Sequence, residues 1–253
     1  MYAILISIGT ALAVVLGWAL VLFPASWGWG SFFGIVTMIA VWIIIVRRIG
    51  RAIKPALERG QALAQRQLWQ PAIEAFESVL PMGNWIPMLK GQMYGQIGTL
   101  YLQSGDRDKA ILNLERSSKR VSEVQLVLAS MYYKAGQLKD AYRVLRRAIK
   151  ANKKAVMPYH VYAWMLHKQN DTAGAMAAIS LHLKKDKDNP TSKEGLLRLQ
   201  NGTKLNMATF GNHWWALGLE QPPQSMGQVQ QARKGFRQPP KNPNKGKKKR
   251  GKR

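Results

Sequence analysis

Apolar residues dominate the first 46 positions, which contain no Asp, Glu, Lys or Arg. Two apolar runs, Tyr2–Phe23 and Phe32–Val46, flank the stretch PASWGWGS, whose Pro and Gly residues break a helix. A helix needs about 20 apolar residues, with a lower limit of roughly 17, to cross the hydrocarbon core of a bilayer. The first run reaches that length alone, and the second reaches it with its flanking residues, including the stems of Arg47 and Arg48. The pattern therefore predicts a hairpin of two transmembrane helices over residues 1–46.

A group of four basic residues follows the second apolar run, whereas the turn between the runs has none. The positive-inside bias keeps such a group in the cytoplasm, so both termini are expected there, and the protein is expected to be a multi-pass protein of the bacterial inner membrane. The opposite topology and a cleaved signal peptide are the alternatives, although the chain lacks the basic start of a signal peptide. The basic juxtamembrane segment, residues 47–54, is predicted to contact anionic lipid through Arg47, Arg48, Arg51 and Lys54.

From Pro55 onward the apolar residues recur with helical periodicity, and no stretch alternates as a strand does. Aligning the chain with itself reveals four copies of one pattern, offset by 38, 31 and 34 residues. In every copy a small residue precedes a second one by 12 positions: Gly60/Ala72, Gly98/Ala110, Ala129/Ala141 and Ala163/Ala175. Small residues at both points let two antiparallel helices approach closely. Gly105, Gly136 and Asn170 stand where the first helix of a copy ends, and they favour a left-handed cap.

This pattern resembles the tetratricopeptide repeat (TPR) family, whose unit is about 34 residues long. The resemblance covers residues 55–188, about four repeats, and it implies an all-α fold with a right-handed solenoid. In the family the first helix of each pair lines a concave groove that binds an extended peptide or a partner's helix. Carried over to this chain, the groove positions are Gln92, Thr99, Gln103, Ser130, Tyr133, Lys134, His160, Trp164, His167 and Lys168. For Trp164 and Tyr133, packing against the next helix pair is the alternative interpretation.

Residues 189–221 are predicted to cap the solenoid, since a terminal helix must cover the last apolar face. Thr191 and Glu194 have the spacing of a capping box at the start of that helix. Trp214 and Trp215 follow, and packing into the cap is favoured over a place at the bilayer interface or in a partner contact.

The sequence offers no catalytic constellation. Without Cys, disulfides, thiolate metal sites and Cys nucleophiles are excluded. His160 and His167 share a helical face, but no carboxylate accompanies them in metal-ligand spacing, so structural or groove histidines are favoured. Phosphate-binding loops, nucleophile elbows and paired carboxylates on one face are missing too. The protein is therefore predicted to be no enzyme and to use no cofactor or metal, and a small-molecule partner is not expected.

The C-terminal tail carries +11 of the formal net charge of +25, because residues 233–253 include 11 Lys or Arg and no acid. Residues 222–253 cannot bury enough apolar surface to fold alone, so a disordered polybasic tail is predicted. Each base near an anionic leaflet contributes about 1 kcal/mol. The same charge would bind RNA by releasing counterions. The tail residues predicted to contact an anionic surface are Lys247, Lys248, Lys249 and Arg250.

Together these features predict an inner-membrane TPR scaffold or adaptor. Its groove would bind a protein or peptide partner on the cytoplasmic side, and its tail would contact anionic lipid. A membrane-tethered protein that binds RNA or the ribosome through its basic tail and basic helix faces is the alternative function.

Overall fold

The computed structural model describes residues 2–18 and 27–222, and within those residues all regular elements are helical, as the periodicity predicts. Residues 19–26 and the basic tail from residue 223, with Lys247, Lys248, Lys249 and Arg250, lie outside the described residues. Two short 3₁₀ helices, Leu80–Asn84 and Met207–Phe210, separate some of the α-helices. The α-helices of the described part are α1 (Tyr2–Gly17), α2 (Trp27–Gln65), α3 (Trp69–Glu77), α4 (Leu89–Ser104), α5 (Arg107–Arg116), α6 (Ser122–Lys134), α7 (Leu138–Ala151), α8 (Val156–Lys168), α9 (Thr172–Leu183), α10 (Pro190–Gln200) and α11 (Asn212–Ala216).

Helix α1 packs antiparallel against the first half of α2. The rings of Trp18 and Phe33 lie 5.1 Å apart, and a Cβ added to Gly34 would meet the side chain of Val15. Of the helices in the described residues, α2 is the one that is long and apolar enough to cross a membrane, by length and composition, over Trp29–Gln65. Helix α1 is apolar but has 16 residues. The structure therefore contains an apolar helical hairpin, one helix of which reaches spanning length within the described range.

Helix α2 continues well beyond its apolar half and forms one element of 39 residues. It passes through Pro55, which usually interrupts a helix because it lacks an N–H donor and crowds the preceding turn. The basic segment 47–54 and the first helix of the first repeat copy both belong to α2. The compositional boundaries at residues 46 and 54 therefore do not coincide with helix ends.

The rest of the chain forms helical pairs, in which the second half of α2 packs with α3, α4 with α5, α6 with α7, and α8 with α9. The small residues of the sequence pattern lie at the contacts within pairs. A Cβ on Gly98 would be 2.7 Å from Leu114 Cγ, and one on Gly60 would be 3.0 Å from the Phe76 ring. The alanines at the corresponding positions are fully buried: Ala72, Ala110, Ala129, Ala141, Ala163 and Ala175.

The first helices of the second, third and fourth pairs end at residues in the left-handed conformation, which confirms the prediction from their type. Gly105 has φ of 91°, Gly136 has φ of 76° and Asn170 has φ of 63°. The turn after each residue brings the second helix back along the first. The following helices α5 and α9 begin with capping carboxylates, because Asp106 and Asp171 accept hydrogen bonds from backbone N–H groups.

Helix α10 packs on α9 and covers the end of the last pair. Its predicted capping box is wrong. The helix begins at Pro190, and the side chain of Asn189 accepts the hydrogen bond from the Ser192 N–H at 3.0 Å. Glu194 instead accepts a hydrogen bond from Arg198 at 2.7 Å. Proline at the first helical position is favourable because that position needs no N–H donor, so Asn189 is the better cap.

We expect Gly98→Ala to destabilise the protein by about 1–3 kcal/mol, because the new methyl group would collide with Leu114 and with its backbone nitrogen. Chemical unfolding of the detergent-solubilised chain, followed by circular dichroism, measures this. Gly50→Ala is the matched control, since a Cβ there meets nothing within 4 Å. Gly50→Ala is expected to leave the unfolding free energy unchanged or to raise it by up to about 1 kcal/mol, because Ala favours a helix more than Gly does. Equal effects of the two substitutions would contradict close contact at Gly98.

Candidate peptide-binding groove

The first helices of the pairs line an open inner groove, made of two neighbouring recesses that share Gln96, Val121 and Val124. One recess, of about 270 Å³, lies between α2, α4 and the start of α6. The other, of about 290 Å³, lies between α4, α6, α8 and α11. Amide and aliphatic side chains of the first helices form most of the lining, and the second helices pack behind them. A chain segment laid in both recesses would touch the first helices of all four pairs, with Met157 contributed by α8.

The chain itself covers the remaining part of this inner face. Residues Leu205–Glu220, here called the C-terminal segment, follow α10 and turn back across α8 and α6. Trp214 is fully buried, and its ring lies 5.1 Å from the ring of Trp164. Met207 and Leu217 are also buried in the same core. The first helices of the third and fourth copies are therefore partly covered by a segment of their own chain.

Polar contacts hold the end of the C-terminal segment. Lys134 Nζ donates a hydrogen bond to the carbonyl oxygen of Leu217 at 2.7 Å. The indole nitrogen of Trp164 donates to Glu220 Oε1 at 3.0 Å, and Lys168 Nζ lies 3.8 Å from the same oxygen. Partial burial, and the charge of Arg107, lower the pKa of Lys134. Three of the predicted groove residues thus bind the chain's own backbone and carboxylate.

The structure separates the predicted groove residues into three groups. Gln92 and Thr99 line the open recesses. Gln103 lies exposed on α4, outside both recesses. The remaining residues make contacts within the chain. Tyr133 is partly buried and packs on Trp164 of the next helical pair, which is the alternative interpretation stated for it. The others are buried, contact the C-terminal segment or bond within their own helical pair: Ser130, Lys134, His160, Trp164, His167 and Lys168.

Trp164 was predicted either to bind a partner in the groove or to pack against the next helical pair, and the structure shows a third arrangement. It is 5% exposed, so it is a packed residue, but its cover is not the next helical pair. Trp214, Tyr133 and the Lys168 ammonium group surround the ring. Trp214 packs into the terminal part of the domain as the sequence favoured, and Trp215 is partly buried against the same core.

Sequence reasoning missed several residues of the open groove. Gln61, Gln96, Val124 and Met157 line it, and none was selected. Helical spacing could have identified Gln96 as a groove residue. It follows Gln92 by four positions and precedes Thr99 by three, so all three lie on one face of α4. Met157 carries no such signal, since its neighbours in the groove come from other helices.

His160 belongs to a buried cluster that joins α8, α9 and α10. Its Nε2 lies 3.1 Å from Ser192 Oγ, and His182 Nδ1 lies 2.8 Å from the same hydroxyl. The Phe210 ring of the C-terminal segment covers the His160 ring at 5.2 Å. Burial, and then the nearby His182, lower the pKa of His160 to about 4, against the opposing effect of Glu194. This geometry is that of a structural histidine.

The basic residues predicted to contact anionic surfaces are exposed along the middle of α2: Arg47, Arg48, Arg51 and Lys54. Lys54 also forms an exposed ion pair with Glu58, at 3.6 Å. Among the described residues, no group of three or more His, Cys, Asp or Glu side chains could hold a metal ion.

Comparison with known proteins supports the repeat architecture. Residues 91–120, which cover most of α4 and all of α5, match the model of the tetratricopeptide repeat family. This stretch is similar to a TPR unit. Curated proteins gave no match to the chain.

Several solved structures are similar to this chain, and two of them are crystal structures of MamA. One is a crystal structure of MamA protein, with a TM-score of 0.45 and 16% identity, covering 66% of this chain and 92% of that one. A second crystal structure of MamA has a TM-score of 0.43 and 17% identity, covering 63% of this chain and 94% of that one.

We expect Trp214→Ala to destabilise the protein by about 3–5 kcal/mol, because it would leave a cavity beside Trp164 in a fully buried site. Denaturant unfolding of the full chain measures the loss. Trp29→Ala, at a 64% exposed position of α2, is the control of the same residue type and is expected to change the unfolding free energy by less than about 1 kcal/mol. A small loss for Trp214→Ala would show that the C-terminal segment is not part of the core.

The buried His160 makes stability depend on pH. Its pKa is lowered from 6.5 to about 4 in the folded protein, so the unfolded chain binds the proton more tightly. Its contribution to stability is therefore complete above pH 6.5 and is lost as the pH falls towards 4, by about 1.4 kcal/mol per pH unit. His160→Gln, which retains a partner for Ser192, is expected to flatten this slope in unfolding measurements. An unchanged slope in the variant would assign the pH dependence to other groups.

Proposed function

We propose that this protein is a non-enzymatic TPR scaffold, anchored in the bacterial inner membrane, whose open inner groove binds an extended segment of a partner protein on the cytoplasmic side. The helical pairs and the family match over residues 91–120 support the scaffold. The single observation that carries the partner site is the pair of adjoining open recesses, one of which the C-terminal segment borders.

The lining of the groove suggests the chemistry of its occupant. Gln61, Gln92 and Gln96 each offer an amide donor and an amide acceptor, which is the complement of a peptide backbone. Val124 and Met157 provide apolar contact between them. The lining residues include one acid, Glu123, and no Lys or Arg. An extended, mostly uncharged segment with small apolar side chains fits this surface.

Membrane anchoring rests on the apolar hairpin. Helix α2 has the length and composition to span a bilayer, and its apolar half is exposed in the described structure, with Trp29, Ile35 and Ile44 each more than half exposed. So large an apolar surface on a monomer is a place of contact with lipid or protein. We assign α1, which belongs to the apolar run Tyr2–Phe23 of the sequence, to the other span, which makes the protein multi-pass with both termini in the cytoplasm.

Anionic lipid is the proposed partner of the basic residues. Arg47, Arg48 and Arg51 follow the apolar half of α2 directly and are exposed. Bases at that depth attract headgroup phosphates over about a Debye length, roughly 8 Å at physiological salt. The tail, with 11 bases in residues 233–253, would add to this contact and make it sensitive to salt.

Photo-crosslinking in living cells tests the groove. With p-benzoylphenylalanine in place of Gln96, we expect one partner protein to be captured, and the same residue at the exposed outer position Arg146 should not capture it. A synthetic peptide of the captured segment should then bind the purified full chain. Replacing both Gln92 and Gln96 by Ala should weaken that binding about tenfold, because two hydrogen bonds of about 0.5–1.5 kcal/mol each are lost.

Gln103→Ala is the matched control, since Gln103 is exposed on the same helix but lies outside both recesses. It should leave peptide affinity unchanged. Equal capture at positions 96 and 146, or equal weakening by all three Gln substitutions, would exclude the groove as the binding site. Labelling of a Gln96→Cys variant by a membrane-impermeant maleimide in intact spheroplasts would show that the groove faces outward.

A further inference from the structure

An additional segment separates the first two helical pairs and carries unusual apolar exposure. Residues 80–88, here called the interpair segment, include the 3₁₀ helix Leu80–Asn84. Met82 is 39% exposed, Trp85 38% and Met88 42%. The segment accounts for the longest offset between repeat copies, 38 residues, so the solenoid itself does not require it. Three large apolar side chains exposed within seven residues indicate a surface that contacts something apolar.

The interpair segment lies where the apolar half of α2 ends. Met82 and Trp85 share a recess of about 420 Å³ with Ile44, Arg48 and their neighbours on α2. The first residue of α1, Tyr2, reaches the same place, and its ring packs edge-to-face on Trp85 with centroids 5.5 Å apart. Parts of the chain distant in sequence therefore bring a Tyr, a Trp and an Arg to one level of the hairpin.

The distance along α2 matches the thickness of a bilayer. Trp29 and Arg48 are 19 residues apart, which is about 28 Å at 1.5 Å per residue. The hydrocarbon core is about 30 Å thick. Trp29 is 64% exposed at the far end of that stretch. Trp and Tyr concentrate at both membrane–water interfaces, so Trp29 at one end and Tyr2 with Trp85 at the other have the arrangement of two aromatic belts.

We infer that the interpair segment inserts into the headgroup region of the membrane that α2 crosses, with Met82 and Trp85 against the acyl chains. This inference rests on the proposed membrane anchoring. The segment would be a second lipid contact for the helical pairs, besides α2 itself, and would fix how the solenoid is turned on the membrane surface.

The charges around the interpair segment fit a lipid surface. No acid occurs between Leu80 and Lys90. Arg48 lines the shared recess, and the Arg120 guanidinium lies 3.9 Å from the sulfur of Met88. Lys90 lies beside Gly83 and is exposed. Apolar side chains bordered by bases are the composition of segments that lie in an anionic bilayer interface.

Site-specific quenching tests this depth, and the chain has no Cys, so each introduced Cys is unique. The full chain would be reconstituted in vesicles of phosphatidylcholine and phosphatidylglycerol with or without brominated acyl chains. A bimane label would be placed at Met82→Cys, at Ile39→Cys in the apolar half of α2, or at Leu197→Cys on α10. All three positions are exposed in the structure.

We expect bromolipid to quench the label at position 82 at least roughly threefold more than at position 197, and nearly as much as at position 39. Adding Trp85→Ser to the Met82→Cys variant should reduce the quenching at position 82 about twofold, because Trp85 would no longer hold the segment in the interface.

The three labels separate the possible failures. Strong quenching at position 39 with position 82 no higher than position 197 would overturn the inference and leave the membrane anchor standing. Absence of quenching at all three positions would overturn the membrane anchor and, with it, the inference. A blue-shifted bimane spectrum at position 82 without bromolipid quenching would show that protein, not lipid, covers the segment, and this also overturns the inference.

Discussion

Close approach of two helices at a pair of small residues is the contact on which the helical domain depends. Gly98 meets Leu114 with no room for a methyl group, and Gly60 and the fully buried Ala129 and Ala163 occupy the equivalent positions in the other pairs. At these points the backbones approach within the reach of dispersion forces, and the larger side chains nearby fill the remaining space. Each first helix is then held in front of its second helix. Repetition of this contact places the first helices side by side, which produces one inner face and therefore a groove.

The apolar hairpin and the helical domain share a single element, α2. Because backbone hydrogen bonds run along the helix, the apolar half and the first repeat helix have no loop between them at which they could turn independently. Ile53 and Phe76 bury the second half of α2 against the first pairs. Tyr2 and Trp85 add a contact between the start of α1 and the interpair segment. The position of the groove relative to the apolar hairpin is thus set by a rigid helix and a side contact.

The inner face is divided between an internal and an open part. Trp214 fills the space in front of Trp164, and Lys134, Lys168 and the Trp164 indole satisfy the carbonyl and carboxylate of the C-terminal segment. Burial of an aromatic side chain of this size contributes several kcal/mol, so the C-terminal segment is part of the folded domain. The free part of the groove consequently lies over α2, α4 and the starts of α6 and α8, where amide and aliphatic side chains line it.

The sequence alone determined the class of the fold and much of its local geometry. The 12-residue spacing of small residues, the helical periodicity and the residues Gly105, Gly136 and Asn170 are local signals. They predicted the helical pairs and their left-handed caps because backbone preference acts over a few residues. Local signals also predicted Thr191 as a cap, and this prediction is wrong because Asn189 caps the helix and Pro190 takes its first position. Gln92 and Thr99 were found by carrying over family positions, and Gln96 could have been found by helical spacing.

Only the tertiary structure decided which groove positions are available. Trp164 and Lys134 carry the right side chains at the right repeat positions, but a segment some 50 to 80 residues later in the chain covers them, and no local pattern encodes that return. The meeting of Tyr2, Arg48 and Trp85 is likewise invisible along the chain, because it depends on the antiparallel packing of α1 on α2 and on the bend of the interpair segment. Contacts between distant residues follow from how all the helices pack together, whereas helix type, caps and close approaches follow from neighbours in the sequence.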